Sequence, residues 1–191
     1  RASAVNHGGR GNGYTVPSPA AQGELVSQAL VRAGVDPRTI SYVEAHGTGT
    51  ALGDPIEVAG LARALGGDAG AGVCALGSVK SNIGHAESAA GIAALTKVLL
   101  QLQHRELVPS LHAEPLNPKL TLAGGRFRVQ TRLEPWVPTP PAGEEGPAVR
   151  RAGISSFGAG GVNVHVVIEE ALEAPGGRGR RYEDVPQLLV L

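Results

Sequence analysis

An α/β fold is what the sequence predicts, and three observations carry the prediction. Short apolar runs at residues 40–45, 73–79, 152–157 and 162–168, with a strand-like stretch at 127–131, alternate with longer stretches whose apolar residues recur at helical spacing. Apolar residues make up 42 % of the 191, enough for one domain with a real core. The chain holds 28 glycines but only two Phe, three Tyr and one Trp, which favours close approach of backbone elements over bulky aromatic packing.

Charge and cysteine content narrow the function classes. Lys and Arg number 17, as do Asp and Glu, so nothing electrostatic points to nucleic acid or an anionic membrane as partner. No apolar run approaches the roughly 20 residues that span a bilayer, and no signal peptide opens the chain. Cys74 is the only cysteine, so no internal disulfide forms. A soluble, cytoplasmic protein is the expectation.

Taken in order, residues 1–5 read as strand, and the start at Arg1 reads as mid-element, as if the chain were a piece of something larger. Residues 6–19 form a Gly/Asn/Pro-rich loop. A helix is predicted over 20–33, with Leu25, Val26, Ala29 and Leu30 on its apolar face and Gly34 and Pro37 to end it. The strand at 40–45 leads into His46 and a Gly/Thr loop. Asp54 as cap, Pro55 at the first helical position and Glu57 in a capping box predict the next helix, stopped by Gly66 and Gly67. Residues 73–79 read as a buried strand and 80–85 as a loop. A long helix follows over 86–103, with Ile92, Leu95, Leu99 and Leu102 on its apolar face and small residues thinning its first half. Residues 109–122 are irregular, and 134–147 are a Pro-rich surface segment. Runs 152–157 and 162–168 predict a hairpin with the glycine-rich tip 158–161. Beyond Glu170 the chain is polar, Gly/Arg-rich and linker-like.

Two histidines stand out. His46 sits where a strand meets a loop carrying Thr48 and Thr50, and His85 precedes the long helix. An imidazole at a helix N-terminus is held neutral by the dipole, and Lys80 adds to that effect if it lies close. A neutral ring donates N–H to a carbonyl or developing enolate, and the 158–161 turn can aim backbone amides at an oxyanion. These pieces suit chemistry at a thioester or carbonyl, without a nucleophile. Cys74 lies inside an apolar strand and reads as inert core, and His165 reads as structural. His7, His104 and His112 have no evident partners. Residues 47–53 have the wrong spacing for a dinucleotide fingerprint, no P-loop or Gly-x-Ser-x-Gly elbow occurs, and no ligand spacing suggests a metal.

Three ordered motifs carry a resemblance. Glu44-Ala-His-Gly-Thr-Gly-Thr50 with Leu52-Gly-Asp-Pro-Ile-Glu57 resembles the first histidine motif of polyketide ketosynthases, and Lys80-Ser-Asn-Ile-Gly-His85 resembles their second. Gly153-Ile-Ser-Ser-Phe-Gly-Ala-Gly-Gly161, with Asn163 and His165, resembles the family's glycine-rich C-terminal segment. The resemblance covers residues 1–170 and implies the C-terminal half of a thiolase-like fold, a mixed sheet flanked by helices that packs on an N-terminal half. Residues 171–191 resemble the start of the linker after such domains. Residues 6–17 are similar to ketosynthases of assembly lines that use a trans-acting acyltransferase.

The resemblance further implies decarboxylative Claisen condensation of a cysteine-bound acyl thioester with a malonyl-type unit on acyl carrier protein. His46 and His85 would stabilise the enolate and Lys80 would support His85. Thr48, Thr50, Asn82, Phe157, Gly158 and Ala159 would bind substrate: the threonines hold the phosphopantetheine arm, Phe157 gates, and the Ala159 amide serves an oxyanion hole. No bound cofactor or metal is implied, and a homodimer is. The family's nucleophilic cysteine has no match here, so the chain alone is expected to be inactive. A non-elongating ketosynthase that only transfers acyl chains, or a structural docking fragment, are the alternative readings.

Overall fold

The computed structural model describes residues 1–9, 16–66, 72–122, 125–138, 140 and 148–172. The glycine-rich stretch 10–15, the stop at Gly67, the proline-rich residues 141–147 and the linker from 173 onward lie outside them.

Six strands form one mixed sheet: β1 (Ala2–His7), β2 (Tyr42–Glu44), β3 (Cys74–Gly77), β5 (Phe127–Val129), β7 (Arg151–Phe157) and β8 (Val162–Glu169). Their spatial order is β1-β8-β7-β2-β3-β5. β2 runs parallel to β7 and β3, and β3 parallel to β5, whereas β7–β8 is the expected hairpin and β1 pairs antiparallel with β8. In the hairpin Phe157 faces Asn163, which leaves 158–161 as its tip. A two-stranded ribbon, β4 (Glu106–Leu107) with β6 (Glu134–Pro135), stands apart.

Helices cover both faces. α1 (Pro19–Ala33) starts where the Ser18 hydroxyl accepts the Ala21 N–H and ends at Gly34 in the left-handed region. With α2 (Gly53–Leu65) it buries Leu25, Val26, Leu30, Val58 and Leu61 against Val43, Cys74, Leu76 and Val167. The other face sets Tyr42, Ala75, Ala152 and Ile154 against Ala94 and Val98 of α4 (Ala90–His104) and against Trp136. Alternation along β2 and β3 sends Val43 and Cys74 to one layer, Tyr42 and Ala75 to the other.

The structure departs from the sequence expectations at four places. First, α2 begins at Gly53 with no side-chain cap, so Asp54 and Glu57 do not form a capping box; their carboxylates accept amides of the preceding loop instead. Second, Lys80–Ile83 is a helical turn, α3, rather than loop. Third, α4 begins at Ala90 after a 3₁₀ turn (Glu87–Ala89), and its inner face is Ala90, Ala94, Lys97, Val98 and Gln101. Ile92 (62 % exposed) and Leu99 (51 %) point outward. The reason is close approach: a Cβ on Gly91 would lie 3.3 Å from Ser156 Oγ of β7, so the small side chains face the sheet. Fourth, Trp136 is buried within the expected surface segment, with its indole N–H on Ser41 Oγ at 2.9 Å.

Candidate active site

His46 follows directly on β2. Ala45 still donates its N–H to the Gly77 carbonyl (2.8 Å), and then the chain turns away at Gly47. Gly47 has φ +46°, and a Cβ there would sit 2.8 Å from Ser78 Cβ, so this turn needs glycine. Two carboxylates from α2 hold the loop. Glu57, 5 % exposed, accepts the N–H groups of His46 (2.8 Å) and Gly47 (2.9 Å), and Asp54 accepts that of Gly49 (3.1 Å). Burial pushes the Glu57 carboxyl up to about 7 against the opposing pull of those amides, and raises Asp54 as well. Thr50 Oγ1 accepts the Gly53 N–H at 2.9 Å, which leaves its own O–H free to donate.

The structure brings His46 and His85 together, with ring centroids 5.4 Å apart and planes at 78°. His46 Nδ1 accepts the Phe157 N–H (3.3 Å), and His85 Nδ1 accepts the Glu87 N–H (3.0 Å). In each neutral ring the proton then belongs on Nε2, which makes both rings donors through that nitrogen. Burial, then repulsion from Lys80 and from His85, lowers the His46 pKa to about 4. His46 is therefore neutral at physiological pH. His85 does not open α4, as the sequence suggested; it precedes the 3₁₀ turn, so the dipole of the long helix begins five residues later.

One cavity of about 660 Å³ is lined by both histidines, Thr48, Thr50, Phe157, Gly158 and Ala159. The Phe157 ring lies 5.5 Å from that of His46. Within the hairpin tip the Gly158 and Gly161 amides are taken by the Val162 and Gly158 carbonyls (2.8 and 3.0 Å). The Ala159 amide makes no hydrogen bond to a described residue. Lys80 is half-buried, and burial lowers its pKa although Glu57 and Glu44 oppose the shift. Its charge acts on His46. Asn82 lies exposed on α3, its Oδ1 accepting from Ser81 Oγ, and does not line the cavity. Cys74 is buried in β3 with its thiol pushed up to about 12, and it has no access to the site. His165 is buried against Gly153 and bonded to Ser155 Oγ (3.0 Å), a core residue. Among the described residues no cluster of His, Cys, Asp or Glu could hold a metal, and no helix is long and apolar enough to cross a membrane.

Sequence reading missed the roles of Asp54, Glu57 and the buried trio Tyr42, Glu44 and Lys97. Lys97 alone carried a visible signal, as the one Lys or Arg of α4, set among Ile92, Leu95, Val98 and Leu99.

A mixed sheet between helical layers, with two facing imidazoles at the rim, is the C-terminal half of a thiolase-like fold. The beta-ketoacyl synthase C-terminal domain matches residues 1–114, and the ketoacyl-synthetase C-terminal extension matches residues 116–191. The chain belongs to the beta-ketoacyl synthase family. It is similar to an oxazolomycin ketosynthase domain of Streptomyces albus (56 % identity, TM-score 0.85, 94 % of this chain and 31 % of that one). It is also similar to the ketosynthase from module 6 of the Bacillus subtilis bacillaene synthase (42 %, TM-score 0.81, 90 % and 30 %). Among curated proteins it is 62 % identical to polyketide synthase ThaG of Burkholderia thailandensis over 171 residues, 88 % of this chain and 3 % of that protein. It is 52 % identical to PksM of Bacillus subtilis over 192 residues, 100 % and 4 %. The chain thus spans a third or less of the solved ketosynthases and a few per cent of the synthases.

Proposed function

We propose that this chain supplies the decarboxylating half of a polyketide ketosynthase, which elongates an acyl chain by Claisen condensation with a malonyl-type unit on acyl carrier protein. The observation that carries the reading is the convergence of two imidazoles, each with Nδ1 held by a backbone amide, on one cavity. The malonyl carboxylate leaves as carbon dioxide, and the electron pair of the broken C–C bond delocalises onto the thioester oxygen. Nε2–H donors of His46 and His85 stabilise that oxygen as its charge grows. A single preorganised donor of this kind is worth about 10²–10³ in rate. The enolate carbon then attacks an acyl group held on a cysteine, and the cysteine departs as thiolate.

That cysteine comes from an N-terminal half, because buried Cys74 cannot serve. The Ala159 amide receives the tetrahedral oxyanion of the acyl thioester. Thr48 and Thr50 donate to the phosphopantetheine arm, and Phe157 beside His46 gates the entry. No bound cofactor takes part. The exposed face of α4, with Ile92 and Leu99, suits the contact with the N-terminal half, and the complete domain is a homodimer. A trans-acting acyltransferase is the source of the malonyl unit.

The test supplies the intact ketosynthase domain with malonyl-loaded carrier protein and follows carbon dioxide. Release is expected, falling about a hundredfold or more in His46→Ala and in His85→Ala. An intact domain that releases none, yet still accepts and passes on an acyl group, would establish a transfer-only protein instead.

A further inference from the structure

Beneath the site lies a charged cluster that the chemistry above does not use. Glu44 is fully buried and Lys97 is 8 % exposed. Lys97 Nζ donates to Glu44 Oε2 at 2.8 Å and to the Tyr42 hydroxyl at 2.9 Å, and Tyr42 donates to the same carboxylate oxygen. The other oxygen, Oε1, accepts the Val79 N–H. One carboxylate therefore ties three segments together. Glu44 stands two residues before His46, Val79 directly before Lys80, and Lys97 on the helix that follows His85. The cluster fills the space over Gly77, where a Cβ would lie 2.3 Å from the Tyr42 oxygen, and the Gly77 carbonyl accepts the amide of Ala45.

Stability alone is a weak reason for such a pair. Desolvating two charges often cancels their attraction, and a well-packed apolar replacement is frequently neutral or stabilising. A positional role fits better. Glu44 attracts two ammonium groups, Lys97 by contact and Lys80 through space. With Lys97 seated on it, Glu44 is balanced locally and pulls less on Lys80, whose charge acts on His46. We propose that Glu44 and Lys97, with Tyr42, form a positioning unit that fixes the His46 strand against the Lys80 turn and keeps the Lys80 charge acting on His46. These residues touch neither substrate nor the reacting atoms; they act through Lys80 and His46.

The inference rests on the ketosynthase reading only for its kinetic consequence, so the decisive readout is independent of turnover. The groups facing His46 are Lys80 from α3, His85 from the loop beyond it, and Glu57 from α2 on its amide. Those acting on Lys80 are Glu57 and Glu44. In Lys97→Met the Glu44 carboxylate loses its contact partner and draws Lys80 away, so the repulsion on His46 weakens and its pKa rises toward the ordinary histidine value.

Carbethoxylation of His46 by diethyl pyrocarbonate, which needs the neutral ring, reports this when followed by peptide mass spectrometry across pH in the intact ketosynthase domain. The unmodified protein is expected to keep its reactivity down to about pH 5, and Lys97→Met to lose it at a distinctly higher pH, short of the ordinary histidine value because burial still acts. The double variant Glu44→Gln/Lys97→Met, which removes both charges, is expected to return to the original profile. If Lys97→Met does not fold, Lys97→Gln gives the same readout. A profile unchanged in Lys97→Met, or a double variant indistinguishable from the single, overturns the inference. Carbon dioxide release from malonyl carrier should fall about tenfold in kcat with KM within about threefold. Failure of the unmodified domain to release carbon dioxide overturns the proposed function but leaves the carbethoxylation test intact.

Discussion

In the sequence His46 and His85 look alike, since each closes a short element beside a glycine at the rim of the sheet. In the structure they are held in opposite ways. His46 is gripped from three sides: Glu57 takes the amides of His46 and Gly47, Phe157 fixes the ring nitrogen, and Lys80 opposes its protonation. His85 is held by one backbone amide, that of Glu87, in an exposed turn. One station is built by side chains from other elements and is sensitive to their loss. The other is local and self-sufficient within this chain.

The contrast breaks most sharply at the anchors. Glu57→Ala leaves two amides without their partner in a half-buried loop, at about 1–3 kcal/mol for each buried unsatisfied group. A Tm lower by well over 5 °C is expected and, on the proposed function, loss of most decarboxylation by the intact ketosynthase domain. Glu87→Ala removes a carboxylate that lies 4.0 Å from His85 Nδ1 but is almost wholly exposed, while the backbone N–H anchor remains, and should stay within about 0.5 kcal/mol. Thermal denaturation of the two variants side by side decides the matter, and equal destabilisation would remove the distinction.

The glycines give a second, smaller contrast. Gly47→Ala meets both a left-handed backbone and Ser78 Cβ at 2.8 Å, so strain and overpacking add to about 2–6 kcal/mol. Gly84→Ala, at φ +76° and ψ −175° with open space around the new methyl, bears backbone strain alone, about 1–3 kcal/mol. Chemical denaturation should rank Gly47→Ala as the more damaging, and the reverse order would mean that the His46 loop relaxes freely.

Much of the frame was legible because its periodicity is strong and local. The apolar stripe of α1 and the two runs of the β7–β8 hairpin needed no outside information. The two histidine stations were legible as a strand end and a loop beside glycines. What stayed hidden depends on neighbours distant in sequence. Asp54 and Glu57 have the spacing of a capping box, yet a carboxylate seeks any unpaired backbone N–H. The amides it found belong to residues 46–49 rather than to its own helix. Apolar size finds half of the inner face of α4, since Leu95 and Leu102 pack on the core, but not the residues nearest the sheet. Contact distance to β7 instead selects Ala90, Ala94 and Val98 and turns Ile92 and Leu99 outward. Trp136 was hidden by its prolines, since nothing local shows that Ser41 waits for its indole N–H.

The smallest expected effect concerns protons. His46 has a folded pKa of about 4 and an ordinary value of 6.5. Between those pH values the unfolded chain binds a proton on this imidazole that the folded chain refuses. Stability therefore rises with pH across that window, and the term is lost as the pH falls toward 4. His165, also near 4 through burial, acts in the same direction. Glu57, raised to about 7, acts oppositely, because between 4.5 and 7 the folded state holds the extra proton. The net slope of the unmodified chain is thus a poor probe, whereas the difference between it and His46→Gln isolates one group, the other two being common to both. Urea unfolding at pH 5 and at pH 7 should show His46→Gln losing less stability on acidification than the unmodified protein. Identical losses would mean that His46 titrates as a solvated imidazole, and that the side chains gripping it do not set its charge.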